Sequence, residues 1–300
     1  MSYGAEEESS MPCARRDPKF NVMKLHYLGT GAAEGIPALF CNCEYCCSVK
    51  ERGGREVRSR SQIIIDGDLS IDFPPDAFLH GVKAGVDLSA IKYLLVTHSH
   101  IDHFYAHDFI LRGYKYGRNL TSPTLTIFGN AEVKEVFNEC TRRELRADVK
   151  GGIEVVTVNS FEEFSFGAYV AVPLKASHTS ENPFVYLVQK NGKRYLHLTD
   201  TGRLPEEDYR YLSALGGYVD AITFDCTFLW EKSDAVRRHM GLDDVKEVRE
   251  RLHSIGVADE KTKCILTHFS HNAEPTMGSL SRAEKEYGVQ AAYDGMTLEV

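Results

Sequence analysis

The chain has 300 residues, 43% hydrophobic and 26% charged, with 35 Lys and Arg against 43 Asp and Glu for a net charge of −8. That composition fits one large globular domain or two small ones with a substantial buried core, and the acidic balance argues against a surface built to grip nucleic acid. No stretch approaches the apolar length of a membrane helix, and residues 1–20, with Glu6-Glu7-Glu8, Arg15-Arg16, Pro12 and Pro18, contain no signal-type apolar core. The expectation is a soluble cytoplasmic protein with a flexible N-terminal extension over 1–20 and a domain over 21–300.

Hydrophobic periodicity predicts strands over 22–28, 61–65, 69–73, 91–97, 124–128, 153–158, 169–175, 184–189, 194–199, 220–224, 263–267 and 290–299. Helical spacing predicts helices over 104–117, 131–146, 205–215, 243–255 and 279–287, layered outside two packed sheets. After the first strand, Gly29, Gly31 and Gly35 miss the dinucleotide-binding spacing, and Pro37 falls where a phosphate-binding helix would run. Next comes Cys41-Asn42-Cys43-Glu44-Tyr45-Cys46-Cys47, at least three thiols on a loop, which can wrap a tetrahedral zinc with no open position. The fourth ligand is either Cys47 or His271; a disulfide or free thiols are the alternative. Lys50 to Arg60 reads as a solvated turn region rather than a nucleic-acid arm. Arg60 and Lys175 are candidate substrate-facing cations. Leu204 to Tyr211 reads as the exposed face of a helix.

The strand ending at Val96 runs into Thr97-His98-Ser99-His100-Ile101-Asp102-His103. Three imidazoles and a carboxylate leave one strand end; His98 and His100 point the same way on extended backbone and can share an ion, while Asp102 and His103 turn toward a second. Zinc, manganese or iron suits such ligands, and a loop end leaves positions open for water. His178, Asp200 and His268 each follow a short apolar or β-branched run, where a sheet edge would deliver them to a shared cleft. No G-x-S-x-G occurs to support a serine hydrolase. His26, His80, His107, His197 and His253 have no partner pattern and are read as structural.

Together these residues resemble the metallo-β-lactamase superfamily: His-x-His-x-Asp-His, then a single His, a single Asp and a last His. The resemblance implies an α/β (α+β) fold, a four-layer αββα sandwich with its site at one rim of the sheets. It also implies that His98, His100 and His178 hold one metal, that Asp102, His103 and His268 hold the other, and that Asp200 bridges. Ser99 stands where redox di-iron relatives carry Glu, which favours hydrolysis. The Cys-x-Cys-x-x-Cys after Gly-Thr-Gly, with Thr267-His268-Phe269-Ser270-His271 and Tyr293-Asp294-Gly295-Met296, is similar to the phosphoribosyl cyclic phosphate phosphodiesterases of phosphonate utilisation. That likeness implies a structural zinc on Cys41, Cys43, Cys46 and His271, and a homodimer.

The related transfer-RNA 3′-processing endonucleases use a His-Glu-Ala-Thr motif and a later His; here Phe224-Asp225-Cys226-Thr227 and Arg238-His239-Met240 occupy those places, with Asp for Glu. Expelling an alkoxide near neutral pH calls for a positioned acid, so an Asp225–His239 dyad is expected, with Asp102 beside it as a further catalytic candidate. The reading is a di-metal phosphodiesterase acting on a small cyclic phosphate. Its rivals are a nucleic-acid phosphodiesterase, a lactone or thioester hydrolase, and a non-catalytic ligand sensor.

Overall fold

The structure is a computed structural model, and it describes residues 22–231 and 238–300. The expected extension over 1–20 lies outside the described residues. The first strands are β1 (Lys24–Gly29), β2 (Gln62–Ile65), β3 (Leu69–Ile71), β4 (Tyr93–Leu95), β5 (Leu125–Gly129) and β6 (Ile153–Thr157). A second set follows: β7 (Phe164–Phe166), β8 (Tyr169–Lys175), β9 (Phe184–Lys190), β10 (Lys193–Leu198), β11 (Ala221–Asp225), β12 (Lys263–Thr267) and β13 (Gln290–Ala291), before β14 (Met296–Glu299) returns to the first. They form two seven-stranded sheets, ordered β14-β1-β2-β3-β4-β5-β6 and β13-β12-β11-β10-β9-β8-β7. Each sheet is half antiparallel and half parallel: pairing turns parallel from β3 to β6 in one, and from β10 to β13 in the other.

Side chains alternate between layers with the period of two that strands impose. Ile63 and Ile65 face the space between the sheets, meeting Tyr186, Val188 and Ile265, while Ile64 faces outward to pack with Phe109, Val133 and Phe137. On the second sheet Ala221 and Ile265 point inward, whereas Ile222, Phe224 and Leu266 point outward under the helices. Those helices are α5 (Glu206–Leu215), α6 (Leu242–Ser254) and α7 (Met277–Tyr287); α3 (Ala131–Thr141) covers the first sheet. Three apolar seams therefore separate four layers, the αββα sandwich implied by the histidine and aspartate pattern. No helix among the described residues is long and apolar enough to cross a membrane.

Several elements depart from the sequence reading. The span 290–299 is two strands: β13 runs parallel to β12, then a turn with Gly295 at φ 90° carries the chain to the other sheet, where β14 lies antiparallel to β1. A strand-like composition cannot report that change of partner. The helix expected over 104–117 is only a 3-10 turn at Ala106–Leu111, cut short before Gly113 and Gly117. The one expected over 131–146 ends at Thr141, and a short α4 (Ala147–Lys150) follows. Sequence reading missed β7 and two helices, α1 (Glu44–Arg52) and α2 (Ala77–Ala84). The cysteine segment is thus half helix: Cys43 is the N-cap of α1, its sulfur accepting from Cys46 N at 3.4 Å. Within Lys50 to Arg60, Lys50, Glu51, Arg52, Gly54 and Arg55 are exposed as the solvated-turn reading expects, but Arg58 is buried, donating to Thr30 Oγ1 and the Ala292 carbonyl beneath the Phe269 ring, so the end of the segment is a structural pin. In α5, Asp208 and Tyr209 are buried rather than exposed.

Candidate active site

Every candidate ligand of the paired cations follows the C-terminal end of a strand, and the two sheets point those ends at one rim. β4 delivers His98, β8 delivers His178, β10 delivers Asp200, β11 delivers Asp225 and β12 delivers His268. Asp200 and His268, together with Asp72 at the end of β3, hold φ of 54°, 60° and 62°. Left-handed backbone costs such residues about 1–3 kcal/mol each and survives only where the surrounding structure fixes it. Here the sharp turn aims each side chain back across the strand ends.

The side chains converge as three overlapping groups sharing one carboxylate, the third joining Asp200 to Asp225, His239 and His268. His98, His100, His178 and Asp200 form the first; Asp102, His103, His268 and Asp200 form the second, and within each group the donor atoms lie within 4.8 Å of one another. Asp200 Oδ2 is 3.1 Å from His98 Nε2, 3.2 Å from His178 Nε2 and 3.1 Å from His103 Nε2. His98 Nε2 is 2.9 Å from His100 Nδ1, and His103 Nε2 is 3.2 Å from Asp102 Oδ2. His103 Nε2, His268 Nε2 and Asp200 Oδ1 are buried without a hydrogen-bond partner. Buried nitrogens and a carboxylate oxygen that crowd one point within ion-pair distance but without hydrogen-bond geometry are the mark of ligands rather than of a hydrogen-bonded core, so the residues fit two divalent cations.

The ligands are held from behind. Asp72 Oδ2 accepts from His103 Nδ1 at 2.6 Å, while Asp72 also accepts from Thr97 N and Oγ1, and Thr97 Oγ1 is 3.0 Å from His98 Nδ1. Asp225, fully buried, does the same for the other side: its Oδ2 is 3.3 Å from His268 Nδ1 and 3.1 Å from His239 Nδ1. Thr227 Oγ1 also reaches His268 Nδ1 at 2.9 Å. Such partners set the tautomer and orientation of a ligating imidazole. The supporting roles of Asp72, Thr97 and Thr227 escaped the sequence reading, although an acid near the end of the strand predicted over 69–73, just before Pro74-Pro75, was a usable signal for the first.

Electrostatics follow this packing. Burial pushes the Asp200 carboxyl up, but His268, His103 and His98 outweigh it and hold it well below the usual carboxylate range. For His239, burial pulls the imidazole down while Asp225 and Asp200 pull harder, leaving it at about 9. Its Nδ1 is 3.1 Å from Asp200 Oδ1 as well as from Asp225. The expected Asp225–His239 pair is therefore in contact and touches the shared carboxylate. The cleft in front is about 340 Å³, lined by Ala32, Ala33, Glu34, Thr179, Phe228, Ser270 and Asn272 besides the ligands. Arg60 pairs with Asp76 and Lys175 with Glu207; neither lines the cleft.

A second donor set lies at the cleft's edge. Cys41, Cys43, Cys46 and His271 bring three sulfurs and one nitrogen within 4.8 Å, with His271 Nδ1 3.4 Å from Cys46 Sγ and 3.8 Å from Cys43 Sγ. Ligand-to-ligand spacings of that size suit a tetrahedral zinc. Cys46 N, the Cys41 thiol and His271 hold the Cys43 thiol down at about 6. Cys47 Sγ turns away to the Asn42 carbonyl, so between the two open choices for the fourth ligand the geometry selects His271.

Residues 64–269 match the beta-lactamase superfamily domain. The chain belongs to the metallo-β-lactamase superfamily. It is accordingly a metal-dependent hydrolase by class. Among solved structures, a diphosphatase from the PhnP family superposes with a TM-score of 0.70 at 22% identity, covering 93% of this chain and 97% of that one. Zn(2+)-bound PqqB from Methylobacterium extorquens superposes at 0.69 with 17% identity, covering 92% and 100%. In sequence, coenzyme PQQ synthesis protein B from Methylorubrum extorquens is 25% identical over 93% of this chain and all of its own length. An octanoyltransferase from Porphyromonas gingivalis is 34% identical over 83 residues, 27% of this chain; the chain matches only 16% of that protein's length.

Proposed function

We propose that this protein is a phosphodiesterase acting on a small cyclic phosphate ester, of which phosphoribosyl 1,2-cyclic phosphate is the type. The observation that carries the reading is the His239–Asp225 pair set against the shared Asp200: a proton donor adjoining two cation sites is what departure of an alkoxide from phosphorus requires and what a thioester, whose thiolate leaves unprotonated, does not. The likeness to a structure described as a PhnP-family diphosphatase supports it.

Two divalent cations, held by the first two of the groups that share Asp200, supply Lewis-acid neutralisation of phosphoryl charge and lower the pKa of water when bound; manganese, zinc or iron fits these donors. The protein's own part is positional. Asp72 and Thr97 fix His103 and His98, and Asp225 with Thr227 fixes His268, so the ligand cage is set before substrate arrives. His239 stands at the cleft with its side chain 24% exposed, and donates its proton to the leaving oxygen while Asp225 holds the ring. Zinc on Cys41, Cys43, Cys46 and His271 is structural. The partner is a soluble phosphorylated metabolite encountered in the cytoplasm; Arg58 is buried, and Arg60 and Arg52 are paired with Asp76 and Glu56, which reduces the charge that segment offers to nucleic acid.

The test compares wild type with Asp200→Ala and His239→Ala on bis(p-nitrophenyl) phosphate and on an alkyl cyclic phosphate, with metal content measured in each. We expect about three metals per chain in the wild type and loss of both activities in Asp200→Ala. His239→Ala should keep its metals and lose far more on the alkyl ester, whose leaving group needs the proton. Metals present without turnover of either ester would overturn the phosphodiester reading.

A further inference from the structure

The phosphodiesterase reading leaves unassigned the wall of the cleft formed by Glu34, Ser270 and Asn272. Glu34 lies in the loop after Gly31, which is bound to the His268 loop by Ala32 N to the Phe269 carbonyl and Phe269 N to the Thr30 carbonyl. One carboxylate oxygen, Glu34 Oε1, is fully engaged, accepting from Ser270 Oγ at 2.6 Å and from His271 N at 3.3 Å. The other oxygen takes no hydrogen bond among the described residues, and the side chain lines the cleft, half-buried. Ser270 Oγ in turn accepts from Asn272 N, so the three residues form one anchored polar wall.

From this geometry we infer that Glu34 is a specificity residue that accepts a hydrogen bond from a hydroxyl on the non-reacting part of the substrate, making the substrate a cyclic phosphate of a polyol such as a sugar. A carboxylate beside the cleft repels phosphate oxygens and attracts O–H donors through short charge-assisted bonds. The phosphoryl group is drawn to the cation sites, so it is the remainder of the molecule that meets Glu34. No Lys or Arg lines the cleft among the described residues, so a second phosphate such as that of phosphoribosyl 1,2-cyclic phosphate is directed away from this wall and a ring hydroxyl faces it. Two anchors on one oxygen fix the direction of the free one, so the acceptor is preorganised and its contact costs little side-chain entropy.

This inference rests on the phosphodiesterase reading, and one experiment separates their failures. Wild type, Glu34→Ala, Glu34→Gln and Ser270→Ala are assayed on ribose 1,2-cyclic phosphate, which carries free hydroxyls, and on bis(p-nitrophenyl) phosphate, which has none, with metal content measured throughout. Glu34→Ala should raise KM about tenfold on the sugar phosphate with kcat held and leave the aryl ester unchanged, as expected for one charge-assisted hydrogen bond. Glu34→Gln, which keeps an acceptor of the same size, should recover part of the loss, and Ser270→Ala should show a weaker version of it. An equal loss on both substrates, or loss of metal, would make Glu34 a loop pin and overturn the inference alone. No effect on either substrate overturns it as well. A wild type that turns over neither substrate removes the phosphodiesterase reading and this inference with it.

Discussion

Replacing Asp208 with Asn should change how stability depends on pH more than it changes stability at any single pH. Asp208 is fully buried in the first turn of α5, where Oδ1 accepts a single 3.2 Å bond from Lys175 N and Oδ2 has no partner. Burial, with Glu207 adding like charge, pushes its carboxyl up to about 7 from 3.8, against smaller pulls from the Lys175 backbone and ammonium. A folded-state value above the unfolded one means that stability is intact below about pH 4 and is lost as pH rises toward 7, where the folded protein must ionise a buried group. Complete ionisation costs at most ~4 kcal/mol, and between about pH 5 and pH 8 the loss is at most ~3 kcal/mol. Asn cannot ionise but leaves an amide nitrogen where Oδ2 lay, a pH-independent cost of about 1–3 kcal/mol. The variant is therefore expected to melt at or below wild type near pH 5 and to gain on it as pH rises, by up to about 6 °C at about pH 8 given ~2 °C per kcal/mol for a domain of this size. Thermal melts of both proteins across that range check it. Two melting curves that stay parallel from acid to neutral pH would show that Asp208 does not carry this linkage.

Asp72→Ala should weaken binding of the second cation about 10- to 100-fold by freeing the His103 ring, read as metal retained after dialysis against a weak chelator, while the thiolate zinc stays. Cys46→Ser should release that zinc and lower the melting temperature, whereas Cys47→Ser should do neither because its sulfur points away; zinc assays of the two variants separate them. Asp225→Asn should lower kcat on an alkyl cyclic phosphate by about 10²- to 10⁴-fold, and, unlike His239→Ala, should also weaken metal binding, since Asp225 supports His268 as well as His239. Retention of full metal affinity in Asp225→Asn would refute that double role.

The site was more legible than the packing around it. His98, His100, Asp102, His103, His178, Asp200 and His268 each follow a strand-like run, and strand ends are where a sheet presents side chains, so their convergence was readable from order alone. What the sequence concealed were residues whose role depends on a distant partner. Asp72 binds a histidine thirty-one positions away, and Arg58 pins the loop at Thr30 to the Ala292 carbonyl across both sheets. The switch of residues 290–299 from one sheet to the other is equally silent in hydrophobic pattern, because both strands bury apolar side chains. Helix α1 was hidden for a chemical reason: its N-cap is a cysteine, a residue that signals metal before it signals helix.

Five consecutive residues, His268 to Asn272, serve four tasks: His268 faces the cation sites, Ser270 anchors Glu34, His271 joins the thiolates and Asn272 lines the cleft. Insertion or deletion of one residue there would misplace two centres at once, so both centres constrain the length of this loop. Divergence toward new substrates must then arise on parts of the rim that answer to a single task, such as Thr179 and Phe228, which line the cleft without belonging to either ligand set. Comparing the tolerance of the two regions to single-residue insertions would measure how far one short loop has constrained the history of this enzyme.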